Sequence, residues 1–413
     1  MRHEQQVHIL EQLMQQLDEC RNVDAGVQVR QPTIAYVDRQ LAEREWRELF
    51  QNHAQLIGLS GDLPKANSYF TVDDFGVPVL ATRDSQGRFR AYLNACRHRG
   101  VRLTKSNRGE TQLFVCPFHA WSYSRDGALV AAPQEDQFGK LNKACHSLVS
   151  LPAEERHGLL FVHPRTDGVL NLDVQLGALN DEFAGWDFAH YLHCGDKTID
   201  KRLNWKFAND TFGETYHFQK LHKATLGRIF HGDTLAYEVI GRNHRFVFPR
   251  RSILQMRDIP QEKWRLTTGA TVVYYLFPNV QLVVNAGRVS LVRIYTLAGD
   301  PARSVTRIGS YFTQDMIDRV ASAADDPDKI LVDASNVYDS GDRAGAVLSL
   351  DALMEVFNST IENEDYAMGE DQQRAAESGR LVHFLFGRNE APLHHYHNAF
   401  RAALGEPPLE VVA

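Results

Sequence analysis

Two short runs of the chain combine thiols with imidazoles: Cys96-Arg97-His98 and, seventeen residues further on, Cys116-Pro117-Phe118-His119. Each pair is close enough for one tight turn to aim both side chains at a common centre. Two thiolates and two imidazoles suit either a tetrahedral zinc or an iron-sulfur cluster in which two histidines replace two cysteines on one iron. Zinc sites of this composition usually pair like ligands, C-x2-C and then H-x3-5-H, whereas here each loop supplies one of each. Mixed loops suit a two-iron cluster, with Cys96 and Cys116 on one iron and His98 and His119 on the other.

A second set of donors sits at residues 204–222, where Glu214, His217 and His222 fall within nine positions. At about 100° per residue Glu214 and His217 share a helix face, but His217 and His222 stand about 140° apart. Both reach one ion only if the helix ends or distorts between them. Two imidazoles and one carboxylate, with adjacent positions left open, form the facial triad that non-haem Fe(II) uses to activate oxygen. The carboxylate is Glu214 or a member of the run Glu362-Asn363-Glu364-Asp365, and position alone does not choose. The cluster His394-His395-Tyr396-His397 has no carboxylate partner nearby in sequence and reads as structural, and Asp325-Asp326-Pro327-Asp328 reads as a solvated loop.

These donors need elements to position them. Val7, Leu10, Leu13, Met14 and Leu17 recur at helical spacing and predict an amphipathic helix over 3–20, with a second helix over 37–50. Short β-rich runs at 69–72, 77–82 and 89–94, separated by Asp/Gly turns, lead into Cys96, and Leu113-Phe114-Val115 delivers Cys116. Further on, strands are expected at 235–240, 244–249, 271–276, 280–285, 289–297 and 304–313, then helices near 313–323 and 349–375. The fold class is therefore α+β, with a small β domain followed by an antiparallel sheet packed on helices. The expected domains are 1–49, N-terminal helices packed on the later domain or at a subunit interface; 50–165, the cluster domain; and 166–413, the second metal domain.

Composition narrows the function. A chain of 413 residues exceeds the ~250–300 residues of one core. A net charge of -7 without a Lys/Arg run argues against nucleic acid or an anionic membrane as partner. No stretch reaches the ~20 apolar residues of a membrane span, and the acidic start does not match a secretory signal, so a cytoplasmic protein is expected. Of five cysteines, the three outside the ligand loops show no framework spacing, and disulfides are not implied.

The pattern C-x-H-x17-C-x2-H, with Arg99-Gly100 after the first loop and Trp121 after the second, closely resembles a Rieske centre. Together with His217-x4-His222, it makes the chain from about Tyr36 to Gly379 resemble the catalytic α subunit of Rieske non-haem iron oxygenases, the family of the ring-hydroxylating dioxygenases. The resemblance implies an all-β Rieske domain beside a helix-grip catalytic domain with an antiparallel sheet. It implies one 2Fe-2S cluster on Cys96, His98, Cys116 and His119, and one mononuclear Fe(II) on His217, His222 and Asp365. O2 is then the co-substrate, and NAD(P)H acts indirectly through a separate flavin or iron-sulfur reductase or a ferredoxin, since no nucleotide fingerprint stands in the sequence. A head-to-tail homotrimer is implied as well, in which Glu214 bridges His217 to His119 of the partner subunit.

Three departures stand out. Glu214 occupies a place where Asp is most usual, as in a branch that includes monooxygenases of trimethylammonium substrates. Asn209-Asp210 stands where Glu-Asn is frequent, and Ala120 replaces a frequent Gly, tolerable unless the backbone there needs positive φ. Phe212 and Phe218 beside the ligand histidines, and Tyr274, Tyr275, Phe277, Val283 and Asn285 on later strands, are the candidates for a substrate wall. An apolar wall suits hydroxylation of an aromatic or polycyclic ring. The alternative is a cation-π cage for a quaternary ammonium or methylated substrate. A Rieske electron carrier without oxygenase activity is a remote third, leaving the second half unexplained.

Overall fold

The computed structural model describes residues 1–324 and 349–412, so the acidic run 325–328 lies outside them. The chain divides into two compact units, one of Trp46–Leu172 with Asp187–Leu192, the other of Met1–Glu45, Asp173–Trp186 and His193–Ala413.

The smaller unit is all-β apart from short helical turns. A five-stranded antiparallel sheet runs in the order Ser150–Leu151, Phe89–Leu93, Val79–Arg83, Ser68–Val72, Arg108–Glu110. A three-stranded sheet pairs Ala153–Arg156, Leu159–Val162 and Gln55–Leu59. A third, Leu113–Val115, Ser122–Ser124 and Leu129–Ala131, carries the second ligand loop between its first two strands. Leu80, Tyr92, Phe114, Trp121 and Tyr123 form a core that also takes in Cys96 and Cys116. The turn after Arg83 is pinned by Asp84, 1% exposed, which accepts the backbone N–H groups of Gln86 and Arg88 and the guanidinium N–H groups of Arg88 and Arg90.

The larger unit is built on a seven-stranded antiparallel sheet in the order Leu192–Lys201, Asp300–Phe312, Arg288–Leu297, Val280–Asn285, Ala270–Leu276, Asn243–Pro249, Ala236–Ile240. The first strand escaped the hydrophobic pattern because it is a polar edge strand with one buried residue, Ile199. The other six stand where period-two patterning places them. Helix His3–Asp18 buries Ile9, Leu10, Leu13 and Met14 against the Leu266–Gly269 turn and the neighbouring strands of this unit. The second expected helix runs as Arg39–Glu45 and widens into a π turn, Trp46–Gln51.

Directly opposed residues of antiparallel strands share a face, and the register therefore arranges one face of this sheet in rows. His244, Tyr275 and Gln281 form one, Phe246, Val273, Val283 and Ser290 the next, and Phe248 with Thr271 and Asn285 with Arg288 the last. Helix Ala391–Ala403 covers the first row through Tyr396, whose ring lies 4.4 Å from Tyr275 and whose hydroxyl accepts from Gln281 Nε2 at 2.9 Å. The other two rows are left for a cavity. No helix among the described residues is long and apolar enough to cross a membrane.

Candidate functional site

The two ligand loops of the β unit repeat one backbone pattern. Cys96 N–H donates to Val101 O and Gly100 N–H to Cys96 O, both at 2.8 Å; Cys116 N–H donates to Trp121 O at 2.8 Å and Ala120 N–H to Cys116 O at 3.0 Å. Each loop closes on a residue with positive φ, Gly100 at +72° and Ala120 at +57°. The position of Ala120 thus requires the left-handed conformation that glycine adopts at little cost. Both cysteines are buried, His98 is half-buried and His119 is exposed. The two imidazoles lie 4.7 Å apart, and His98 stacks on Trp121 at 5.1 Å. The pKa of His98 is lowered, by burial first and then by His119 and Arg99, which favours the neutral ring a metal requires. Among the described residues, the one group of three or more His, Cys, Asp or Glu donors brought within 4.8 Å is in the other unit. Buried thiolates behind outward imidazoles fit a two-iron cluster.

In the larger unit, helix Trp205–Asp210 leads toward the second set of donors. Asn204 caps it by accepting from Lys206 N–H at 2.9 Å, and buried Glu45 accepts from Trp205 Nε1 at 2.9 Å and Lys206 Nζ at 2.5 Å. Tyr36 stacks on Phe207 at 3.7 Å. The chain then turns through the 3₁₀ segment Tyr216–Gln219, which stops before His222. This break is the distortion the 140° argument required. His217 Nε2 and His222 Nε2 lie 3.1 Å apart, and Asp365 Oδ1 is 3.0 Å from His222 Nε2 and 3.4 Å from His217 Nε2.

Asp365 comes from a π turn, Ile361–Asp365, set between helices Leu350–Thr360 and Tyr366–Glu377. The widened turn brings two consecutive residues to one imidazole: Asp365 at Nε2 of His222, and Glu364 Oε2 at its Nδ1, 2.8 Å away. His217 is held in the same way, with Glu214 Oε1 at 2.5 Å from Nδ1 and Oε2 accepting its backbone N–H at 3.1 Å. Each imidazole therefore donates through Nδ1 to a carboxylate and turns Nε2 toward Asp365, the arrangement in which metal-bound histidines are normally oriented. Burial works against the charged form of His217, but Asp365 and Glu214 outweigh it and raise its pKa to about 10. A cation is strongly favoured between these groups. Burial likewise opposes the Asp365 carboxylate, and the two imidazoles bring its pKa below the ordinary value. The donor set fits a mononuclear iron.

The triad lies on the wall of a cavity of about 100 Å³. Phe212, Phe218, Val283 and Asn285, expected in the wall, line it. Tyr274 and Phe277 do not, which corrects the sequence assignment. Tyr274 points to the opposite sheet face, where Trp186 Nε1 donates to its hydroxyl at 2.6 Å and the hydroxyl donates to Glu182. Phe277 lies beyond its strand, packed on Phe400 and under the Arg242 guanidinium at 4.3 Å. Tyr275 has the expected face but sits beneath Tyr396. Residues not anticipated include Phe230, Phe246, Phe248, Arg250, Arg288 and Phe357. The alternation Phe246-x-Phe248-x-Arg250 was the available signal for three of them.

The histidines of the 394–397 cluster have structural partners. His397 Nε2 finds Asp210 at 2.9 Å, a carboxylate remote in sequence that also accepts from Tyr36 Oη at 3.1 Å. His395 pairs with His244 at 2.8 Å, and His394 donates to Gly387 O at 2.9 Å. Asn209 Oδ1 accepts from Gln281 Nε2 at 2.9 Å, away from the triad.

A β unit whose two loops fit a two-iron cluster and a helix-on-sheet unit whose two histidines and one carboxylate fit a mononuclear iron describe a protein with two metal centres. Residues 188–406 match the ring hydroxylating alpha subunit (catalytic domain) family and residues 53–151 the Rieske [2Fe-2S] domain. The chain belongs to the ring hydroxylating alpha subunit family. It is 30% identical over 202 residues to the glycine betaine monooxygenase oxygenase subunit of Chromohalobacter salexigens, covering 49% of this chain and 45% of that protein. It is 32% identical over 193 residues to the biphenyl 2,3-dioxygenase subunit alpha of Rhodococcus jostii, covering 44% of this chain and 41% of that one. The chain thus spans about half the length of the curated relatives it matches. The fold is that of a quaternary ammonium Rieske monooxygenase bound to L-carnitine, with TM-score 0.71 and 18% identity over 93% of this chain and 97% of the other. Naphthalene 1,2-dioxygenase from Rhodococcus sp. bound to indole gives 0.68 and 16% over 97% and 99%.

Proposed function

We propose that the chain is the oxygenase component of a Rieske non-haem iron oxygenase system, using O2 and electrons from a separate NAD(P)H-dependent reductase or ferredoxin to hydroxylate an aromatic substrate. The observation that carries this reading is the convergence of His217, His222 and Asp365 on the wall of a phenylalanine-lined cavity. When bound, the iron supplies the oxygen chemistry and the cluster supplies electrons one at a time. The protein's part is placement. Glu214 and Glu364 fix the imidazole tautomers, and the phenylalanines exclude water and stack on a ring. About 100 Å³ is less than the ~150 Å³ of an apolar cavity that takes up benzene, so side chains must move to admit even one ring, and more so for a polycyclic substrate. His119, exposed at the tip of its loop, is the electron exit, and in a ring trimer Glu214 receives it from the partner subunit.

A quaternary ammonium substrate is the second reading, favoured by the betaine monooxygenase relative and by the same phenylalanines, which can cage a cation. Purified protein is expected to hold labile sulfide and iron in a ratio of about two to three, matching one two-iron cluster and one further iron. With a surrogate reductase, NADH and O2, product should form from a single-ring aromatic and not from trimethylammonium compounds. Zinc without sulfide refutes the oxygenase assignment, and turnover of the ammonium compounds alone replaces the first reading by the second. Sedimentation of the holoprotein tests the trimer.

A further inference from the structure

We infer that the substrate of this cavity carries a hydrogen-bond acceptor, a carbonyl, carboxylate, nitro or ether oxygen, received by the side-chain amide of Asn285. The inference rests on the oxygenase reading and narrows it from aromatic rings at large to rings that bear such an oxygen.

The cavity uses up most of its neutral donors internally. Apart from the triad, Glu214 and two arginines, the polar side chains on its wall are Thr211, Thr271, Asn285 and Thr360. Each threonine gives its one proton to the protein: Thr211 Oγ1 donates to Ala208 O at 2.9 Å, Thr360 Oγ1 to Val356 O at 2.9 Å, and Thr271 Oγ1 to Asn285 Oδ1 at 2.6 Å. Asn285 Oδ1 also accepts from Arg250 Nη2 at 2.9 Å. A guanidinium has donors only, so the atom turned to Arg250 is the oxygen, and the amide has one orientation. Its two N–H groups then lie on the other side. Among the described residues nothing accepts from Asn285 Nδ2, and the atom is not sealed inside the protein; the cavity is what it meets.

The surroundings make that donor selective. Phe246, Val273 and Val283 form an apolar row one two-residue step away, about 7 Å along the strands, and Phe248 lines the same wall. A ring that enters displaces water from Nδ2. If it brings an oxygen, the bond to water is replaced; if it brings none, a donor is left unmet among apolar side chains, which is unfavourable. A bare hydrocarbon has no lone pair to offer, and neither has a trimethylammonium head. Because Thr271 and Arg250 fix the amide before any ligand arrives, no side-chain freedom is lost in making the bond.

The test compares acetophenone with α-methylstyrene, which has the same shape with a methylene in place of the carbonyl oxygen, in binding to the anaerobic holoprotein by calorimetry. Both are neutral, so the change in their affinity ratio on substitution reads the hydrogen bond. Asn285→Asp keeps an oxygen toward Arg250 and Thr271, hardly changes the volume, and turns the cavity-facing donor into an acceptor. The ketone-to-alkene ratio is expected to fall about 5–100-fold in this variant, the effect of stranding a buried acceptor. The aniline-to-toluene ratio should rise at least about fivefold in the same variant, since aniline brings N–H donors to the new carboxylate. Asn285→Leu should lower the first ratio and not raise the second, which separates loss of the donor from gain of an acceptor. A ketone-to-alkene ratio in Asn285→Asp within about twofold of the parent overturns the inference, as does a parent that holds both metal centres and binds neither ligand. Iron and labile sulfide are assayed on the same samples. If the parent holds both centres and the ratio does not respond, only this inference fails; if the parent lacks sulfide or the further iron, the oxygenase reading fails whatever the ratio.

Discussion

Glu364 offers the sharpest test of how the iron site is held, because it touches no metal position and acts only through His222. Its Oε2 lies 2.8 Å from Nδ1 of an imidazole that is 0% exposed, and Thr225 Oγ1 donates to the same carboxylate at 3.2 Å. Glu364→Gln keeps an acceptor there and removes the charge. Charge-assisted hydrogen bonds are about twice as strong as neutral ones, so the loss is about 1 kcal/mol, or about fivefold in Fe(II) affinity. The side chain is 28% exposed and solvent screens part of the charge, which argues for the low end. Glu364→Ala strands a buried N–H instead and loses the orientation of the ring, costing about 2 kcal/mol, or about 30-fold. Anaerobic competition for Fe(II) against a chromophoric chelator measures both variants, with the cluster absorbance as an internal standard that should not change. Two variants within twofold of the parent would show that His222 is oriented by packing alone. Loss of cluster absorbance in parallel would show that the substitution disturbs folding rather than the ligand.

Other outcomes follow from the β unit. Arg97 N–H donates to Tyr123 Oη at 2.9 Å, which leaves the hydroxyl proton to point at Cys96 Sγ, 3.3 Å away. Hydrogen bonds to the sulfurs raise the potential of such a cluster. If the bond favours the reduced state by about 1 kcal/mol, Tyr123→Phe should lower the midpoint by about 40 mV in redox titration. Asp84 has its pKa lowered to about 2: burial opposes its charge, but the N–H donors of Arg88, Arg90 and Gln86 prevail. Since the unfolded value is about 3.9, this group contributes about 2 kcal/mol above pH 4, lost as pH falls toward 2. Asp84→Asn should therefore be less stable at pH 7 and show a flatter acid limb in urea denaturation. Gly100→Ala should lower the temperature at which cluster absorbance is lost, by strain of about 1 kcal/mol, because its Cβ meets nothing within 4 Å and only φ objects. Ala120→Gly should leave that temperature unchanged or raise it.

The local parts of the site were legible because the chemistry is written within a few residues. Cys96 to His98 and Cys116 to His119 each fit inside one turn, and the break between His217 and His222 followed from helix geometry alone. Choosing Asp365 over Glu362 and Glu364 took a resemblance, since a regular helix gives no reason for two consecutive residues to meet one ring. The π turn at Ile361–Asp365 supplies that reason, and nothing in the sequence announces an extra residue in a helical turn. The role of Glu364 was hidden for the same cause. His397 was read as structural on the absence of a nearby acid, yet Asp210 is its partner from 187 positions away. Contacts of that separation leave no mark in a local pattern.

The substrate wall shows where period-two reasoning stops. Parity along Ala270–Leu276 separates Tyr274 from Thr271, Val273 and Tyr275, and the register carries that parity across to Phe246 and Phe248 on one side and Val283 and Asn285 on the other. Had the face been fixed by one residue, the row would have followed. Parity still does not say which part of a face is open: Tyr275 shares it and is closed off by Tyr396, whose helix lies more than 100 residues later. The extent of the cavity is thus set by what covers the sheet and not by the sheet. Helix Ala391–Ala403 takes the first row, while the ligand segment and the helix carrying Phe357 close over the other two. The covering helix also explains why His244 and Gln281 of the first row are bonded to it, through His395 and Tyr396, while Asn285 of the last row lines the cavity. That is why Phe246, Phe248, Val283 and Asn285, and not Tyr274 or Phe277, are the residues whose substitution should change what this protein binds.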